Sequence, residues 1–261
     1  MRLLTESLVP GAVPRYELSP WRERYGVVAG ITARGIDPAL GVRGFDLGLW
    51  TAAPVGEVLG RWRQFRSCEP GFNAWVLGHQ VHGAEVAWHE GGEGWRLLDG
   101  LDGHATATLG LMLLVTVADC VPIYLVAPRQ RVVALLHAGW RGTVGGILTR
   151  GIDLLQSRGV APADLVMHCG VAICGPCYEV GAEVMTGCGL EAKGGGPWHL
   201  DLRQHLGEQA LALGVTDIST SQWCSAHDRP RFYSHRASRG TDGRMVAYLG
   251  IPQSGEGGNP V

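Results

Sequence analysis

Nearly uninterrupted apolar runs dominate the middle of the chain. Residues 111–137 read LMLLVTVAD, then Cys120, then VPIYLVA and, after the turn at 128–131, VVALLHA. Such runs suit strands covered on both faces, because a strand with one wet face alternates apolar and polar positions. Shorter β-branched runs predict strands at 26–33 (GVVAGITA), 165–171 (LVMHCGV) and 244–251 (RMVAYLGI). The segment 72–88, FNAWVLGHQVHGAEVAW, reads as two strands around Gly78 and Gly83. Helical periodicity predicts α-helices at 55–66, at 143–158 behind a Gly-rich start, and at 199–214 with Gly214 as the stop. The Gly-rich stretches 35–48 and 90–104 are expected to be loops, and 251–261 a flexible C-terminal tail. No linker-like break in composition and no internal repeat interrupts this pattern, which points to one mixed α/β domain over 1–250.

Composition narrows the function classes. The 261 residues are 46% hydrophobic and 18% charged, enough to bury a sizeable core. With 22 Lys+Arg against 24 Asp+Glu, the net charge of −2 offers no long-range attraction to nucleic acid or to an anionic membrane. No window reaches the roughly 18 apolar residues of a membrane span. The N-terminus, broken by Thr5, Glu6, Pro10 and Pro14, lacks the apolar stretch of a secretory signal, so a cytoplasmic address is expected. Seven cysteines, an odd number, point to free thiols or metal ligands and not to a disulfide framework. Neither a P-loop nor a GxGxxG behind a strand is present, which argues against nucleoside triphosphate or dinucleotide chemistry.

Three segments place a potential metal ligand at the end of an apolar strand. They are His79-Gln80-Val81-His82-Gly83, Ala118-Asp119-Cys120-Val121-Pro122 and His137-Ala138-Gly139-Trp140-Arg141-Gly142. The wide spacing is not that of a zinc finger, whose ligands come in close pairs. Three ligands drawn from separate strands suit a site with an open fourth position, where zinc lowers the pKa of water or polarises a substrate oxygen. The competing reading is that these Cys and His residues simply fill a core.

The set HQVHG, ADCVP, HAGWRG, GPCYEVG and FYSHR…GRM resembles the YfiH-like laccase-domain, or polyphenol oxidase, family, described as purine nucleoside phosphorylases; the likeness spans roughly 28–250. It implies an α+β fold, a single-domain layered α/β/β/α sandwich with mixed sheets, similar to bacterial toxin deamidases. Carried over residue by residue, it implies zinc on His82, Cys120 and His137, with His79 a flanking residue outside the ligand set. It further implies phosphorolysis of adenosine, inosine and methylthioadenosine, with adenosine deamination as a companion activity. For deamination, Asp119 beside Cys120 is the candidate for passing a proton while an activated water attacks the base; its alternative role is to hold strand-end amides. Phosphorolysis needs cations around the phosphate, for which Arg34, Arg141 and Arg236 are the candidates. Asp102 is a candidate for the ribose hydroxyls or for closing a turn, and Trp140 for stacking on the base or for core packing.

Two departures from the family pattern put substrate detail in doubt. An Asn-Leu-Gly loop reads Asp46-Leu47-Gly48 here, which keeps Asp46 as a candidate substrate contact, and a Gly-Pro pair reads Gly170-Val171. Three rival chemistries are weighed against the metal enzyme. Cys174-Gly175-Pro176-Cys177 is a C-x-x-C of the dithiol oxidoreductase kind, but it lies two-thirds along the chain, behind LVMHCGV. Cys169, Cys174 and Cys177 offer three ligands to a second metal without an obvious fourth, so core packing is the expectation for them. Copper oxidation of phenols needs a denser histidine array than ten scattered residues supply, although a single copper could replace zinc in vitro. Finally, Cys120 with His137 could act as a thiolate–imidazole pair that cleaves an amide, as in editing of peptidoglycan precursors.

Overall fold

A computed structural model describes residues 1–36, 40, 41 and 43–253. Two seven-stranded mixed sheets lie face to face, with helices on both outer sides, which is the layered α/β/β/α arrangement expected. Along the chain come β1 (Arg2–Leu3), β2 (Ser7–Val9), β3 (Arg15–Glu17), α1 (Ser19–Tyr25), β4 (Val28–Thr32) and α2 (Val55–Ser67). Next are β5 (Ala74–His79), β6 (Val86–His89), β7 (Gly94–Asp99), β8 (Gly103–Thr106), β9 (Leu111–Val117), β10 (Val121–Ala127) and β11 (Val132–Ala138). Helices α3 (Trp140–Val144) and α4 (Ile147–Gln156) precede β12 (Val166–Cys169), β13 (Glu179–Val180), α5 (Ala182–Gly187) and β14 (Trp198–His199). The last elements are α6 (Leu202–Ala212), β15 (Asp217–Thr220), α7 (His235–Ser238) and β16 (Met245–Gly250).

One sheet has the order β1-β15-β12-β10-β11-β8-β6 and the other β2-β3-β4-β16-β9-β5-β7. The period-two direction of side chains explains why the central strands are apolar throughout. On β10, Ile123 and Leu125 face α4 and α6, while Tyr124 and Val126 face the second sheet. On β11, Ala134 and Leu136 point outward, and Val133 and Leu135 pack between the sheets with Leu113, Val115, Ala247 and Leu249. The outer face of the second sheet is covered by α2, whose Val58, Trp62 and Phe65 meet Trp75, Leu77 and Tyr248. His137 shares the parity of Val133 and Leu135, so its side chain turns to the inter-sheet side at the strand's end.

Some expected elements differ. The stretch 90–104, read as loop for its glycines, carries β7 and the start of β8, because parallel pairing with β5 holds β7 extended on the sheet edge. The helix expected over 143–158 is two, broken at Gly145-Gly146, where Gly146 takes a left-handed φ of +81°. The two strands in 72–88 join different sheets. β1 to β3 and β15 exist through pairing, and their short segments carry little pattern of their own. Residues 37–39 and 42 of the expected 35–48 loop lie outside the described residues. The expected tail does not begin at 251. Ile251 is buried, its carbonyl accepts from Gly110 N, and Gln253 N donates to the Gly71 carbonyl; 254–261 lie outside the described residues.

The neighbouring strands β6 and β8 bury a pair of histidines, His89 Nε2 and His104 Nδ1, 2.9 Å apart. Burial holds His89 down to about 4, aided by Arg96, and His104 down to about 3, aided by His89. An unfolded histidine takes its proton near 6.5, so the stability from this neutral pair is full above that pH and is lost as the pH falls towards 4. Denaturation midpoints measured across that window are expected to fall in the native chain and to fall less in a His104→Asn variant. Equal slopes would show that the pair does not set the acid response.

Candidate metal centre and its cleft

The β10–β11 hairpin brings Cys120 and His137 together. Val121 stands opposite Ala138 and Pro122 opposite His137 in the antiparallel register, so Cys120, just before β10, lies at the end of β11 that carries His137. His82 arrives from the turn between β5 and β6. The ligand atoms of His82, Cys120 and His137 lie within 4.8 Å of one another, close enough to share one ion. A Cβ on Gly139 would lie 3.0 Å from Cys120 Sγ and 3.3 Å from His82 Cδ2, so only glycine leaves this cradle open. At this site two residues are held in the left-handed region without being glycine, His82 (φ +59°) and Asp119 (φ +89°). Such conformations cost on the order of 1–3 kcal/mol and persist where the surroundings impose them.

What imposes them is a set of carboxylates. Asp102 is completely buried, and its Oδ1 lies 2.8 Å from His137 Nδ1. A carboxylate can only accept, so Nδ1 carries a proton and Nε2 is the nitrogen turned toward Cys120 and His82, the one whose lone pair a metal would take in place of a proton. The same carboxylate accepts from the backbone N–H of Val81, His82 and Gly83 at 3.2, 3.1 and 2.8 Å. Gln80 secures the turn from the other side, bonding Thr116 through both its amide oxygen and its amide nitrogen. Asp119 accepts from Ser225 Oγ and from Arg236 N, each at 2.6 Å, while its carbonyl accepts from Ile173 N.

Burial alone would push the Cys120 thiol up. The charge and hydrogen bonds of His137 and then His82 outweigh it and bring the thiol down to about 6. Burial works against a charged His137 too, but Cys120 and Asp102 lift it to about 9. Asp102 is held below the usual carboxylate range, its burial more than offset by His137 and the loop amides. Thiolate, proton-bearing imidazole and carboxylate thus form a chain of alternating charge. A soft thiolate with two imidazoles is a donor set that zinc, or copper in its place, accepts.

The triad sits in the wall of a cleft of 680 Å³. Of the residues proposed from sequence, Asp119, Arg141 and Arg236 line it together with the triad; Arg34, Asp46 and Asp102 do not. Arg34 pairs with Asp242 at 3.1 Å and lies over the Tyr233 ring. Asp46 is buried and accepts from Gly48 N, Thr51 Oγ1 and Arg244 N, so the acid at this position acts purely as an acceptor. Arg141 lies over Trp140 and Arg236 over Tyr178, and Arg236 Nη1 donates to the Glu179 carbonyl. Trp140 lines the cleft on one side and packs against the outer core on the other. His79 lines the cleft, stacked on Trp50.

Sequence reasoning passed over Arg244, Trp50, Tyr178, Gln80 and His235, all of which line the cleft. Arg244, Tyr178, Gln80 and His235 stood inside the motifs already noted, and only their individual roles were unread; Trp50 carried no signal.

The pattern of the family described as multi-copper polyphenol oxidoreductase laccase matches residues 42–252. The chain belongs to this family. Purine nucleoside phosphorylase YlmD of Geobacillus stearothermophilus is 39% identical over 196 residues, which make up 67% of this chain and 72% of that relative. Adenosine deaminase RL5, from an unknown prokaryotic organism, is 33% identical over 182 residues, 62% of this chain and 69% of its own length. The crystal structure of YlmD from Geobacillus stearothermophilus superposes with a TM-score of 0.83 at 31% identity, covering 95% of this chain and all of that one. None of the described helices is long and apolar enough to cross a membrane.

Replacing Asp102 by Asn keeps the shape but turns an obligate acceptor into a group that can also donate, freeing His137 to take the wrong tautomer. Metal affinity, measured by competition with a chelator, is expected to fall roughly 10- to 100-fold. An unchanged affinity would show that Asp102 does not orient His137 for a metal.

Proposed function

We propose that this protein is a zinc-dependent purine nucleoside phosphorylase that splits adenosine, inosine or methylthioadenosine with phosphate into base and ribose 1-phosphate. The metal is assigned to His82, Cys120 and His137. The observation that carries the reading is the cation content of the cleft. Arg141, Arg236 and Arg244 all line it beside the triad, and none of the three forms an ion pair with a carboxylate among the described residues. Guanidinium groups left without carboxylates in a concave site are suited to an anion, which they hold bidentately.

A bound zinc supplies Lewis acidity to a substrate oxygen. The chain's own residues supply the rest. Phosphorolysis places an anion beneath the anomeric carbon and stabilises a sugar that becomes cationic, so preorganised charge and position dominate. Arg236 is preorganised at both ends, its backbone N–H held by Asp119 and its head by the Glu179 carbonyl and the Tyr178 face. Arg244 has its N–H on Asp46 and its Nη1 on the carbonyls of Asp242 and Gly243. With both oxygens engaged, Asp119 is assigned to holding the arm of Arg236 and, through its place in the chain, Cys120. Trp50, Trp140 and Tyr178 offer planar faces for a purine.

Chromatography of zinc-loaded protein incubated with adenosine, with and without phosphate, tests this reading. Adenine and ribose 1-phosphate are expected only with phosphate, and inosine in both samples would make the cleft a deaminase instead. Arg236→Ala is expected to raise the KM for phosphate roughly 10-fold or more, the worth of a lost charge-assisted hydrogen bond. The amide-hydrolase reading separates on the thiol. Metal-free protein is expected to be alkylated at Cys120 above about pH 6, where its thiolate forms, and zinc is expected to block that reaction. Full turnover by a zinc-free His137→Ala variant would refute the assignment.

A further inference from the structure

A second group of metal-binding side chains lies apart from the cleft lining. Cys174, Cys177, Cys224 and His227 bring their ligand atoms within 4.8 Å of one another. This corrects the expectation of core packing for Cys174 and Cys177. Both are half-buried, and of the three cysteines considered together only Cys169 is a core residue, its thiol facing the Arg203 carbonyl. The missing partners were legible as Cys224-Ser225-Ala226-His227, a second short pair with the same two-residue spacing as Cys174-Gly175-Pro176-Cys177. Two close pairs from distant parts of a chain are the pattern of a closed structural zinc site.

We infer that Cys174, Cys177, Cys224 and His227 form a tetrahedral Cys₃His zinc site that clasps the segment after β12 to the segment after β15. The geometry agrees with that ion. Cys174 Sγ lies 3.5 Å from His227 Nδ1, and a tetrahedron with zinc–sulfur and zinc–nitrogen bonds of usual length has a sulfur–nitrogen edge of about 3.6 Å. The backbone N–H groups of Cys174 and His227 both point at Cys224 Sγ, at 3.3 and 3.4 Å. One donor comes from each of the two segments, so the sulfur sits where they converge. The dithiol-oxidoreductase reading of the same C-x-x-C loses its footing here, because Cys174 precedes a three-residue 3-10 turn and no α-helix begins there.

The two segments already touch where the clasp would hold them. Ala172 bridges Cys224, and Ser225 N donates to the Ala172 carbonyl. Both segments end on Asp119, Ile173 N on its carbonyl and Ser225 Oγ on its carboxylate. The clasp is therefore a positioning device for the strained residue beside Cys120. It stands whatever the cleft's substrate is.

The test is zinc per chain, measured by elemental analysis of the full-length protein after zinc loading and desalting. Two ions are expected in the native chain, one in His137→Ala and one in Cys177→Ser. A single ion in the native chain, lost in His137→Ala, would overturn the inference, as would a Cys177→Ser protein that keeps two. Should Cys177→Ser fail to fold, cobalt loaded into His137→Ala decides, because three thiolates give intense charge-transfer and tetrahedral ligand-field bands. Absence of those bands, or an intact mass two hydrogens light from a Cys174–Cys177 disulfide, would sink it.

Discussion

The buried carboxylate of Asp102 is the interaction on which the candidate site rests. It ties together the turn carrying His82 and the end of β11 carrying His137. An ionised group with no exposure is tolerable only if its lone pairs are matched, and here three backbone N–H groups and one imidazole match them. The same matching fixes the tautomer of His137, holds His82 in a left-handed conformation and, through the imidazole, lowers the affinity of Cys120 for its proton. Position, protonation and strain at the triad therefore have one physical source.

The motif recurs around the cleft. Asp119 accepts the backbone N–H of Arg236, and Asp46 accepts that of Arg244. In each case a carboxylate chosen from sequence as a substrate contact or acid–base group grips the main chain of a residue whose side chain lines the cleft. The electrostatics favour this division. Carboxylates in the open cleft would repel a phosphate and pair with the arginines; turned away from it, they stiffen the loops and leave the guanidinium groups available.

Two Cys/His sets of opposite character sit on either side of Asp119. One has two imidazoles and one thiolate in the wall of a cleft, with fewer ligands than zinc's four, which suits an ion that must also meet substrate. The other has three thiols and one imidazole, a full complement with no place for substrate. The first is assembled from three strand ends by sheet register, the second from two short pairs at loop level. Chemistry asks for an open position and architecture for a closed one, and the donor counts follow that difference.

Much of this was legible in the chain alone. The apolar runs at 111–137 set the central strands because a strand buried on both faces has no polar positions to spare, and α2 and α6 followed from their helical period, with Gly214 as the stop behind α6. The three candidate ligands were readable from their motifs. What tertiary structure alone decided was everything that depends on pairing across distance: the strands β1, β7 and β15, whose local sequence is too short or too glycine-rich to declare itself, and the assignment of β5 and β6 to different sheets. It also decided what the acids do, since a carboxylate's role depends on which donors surround it and a sequence does not list its neighbours in space. Cys224 and His227 make the same point: their spacing was visible, but only the fold brings them to Cys174 and Cys177.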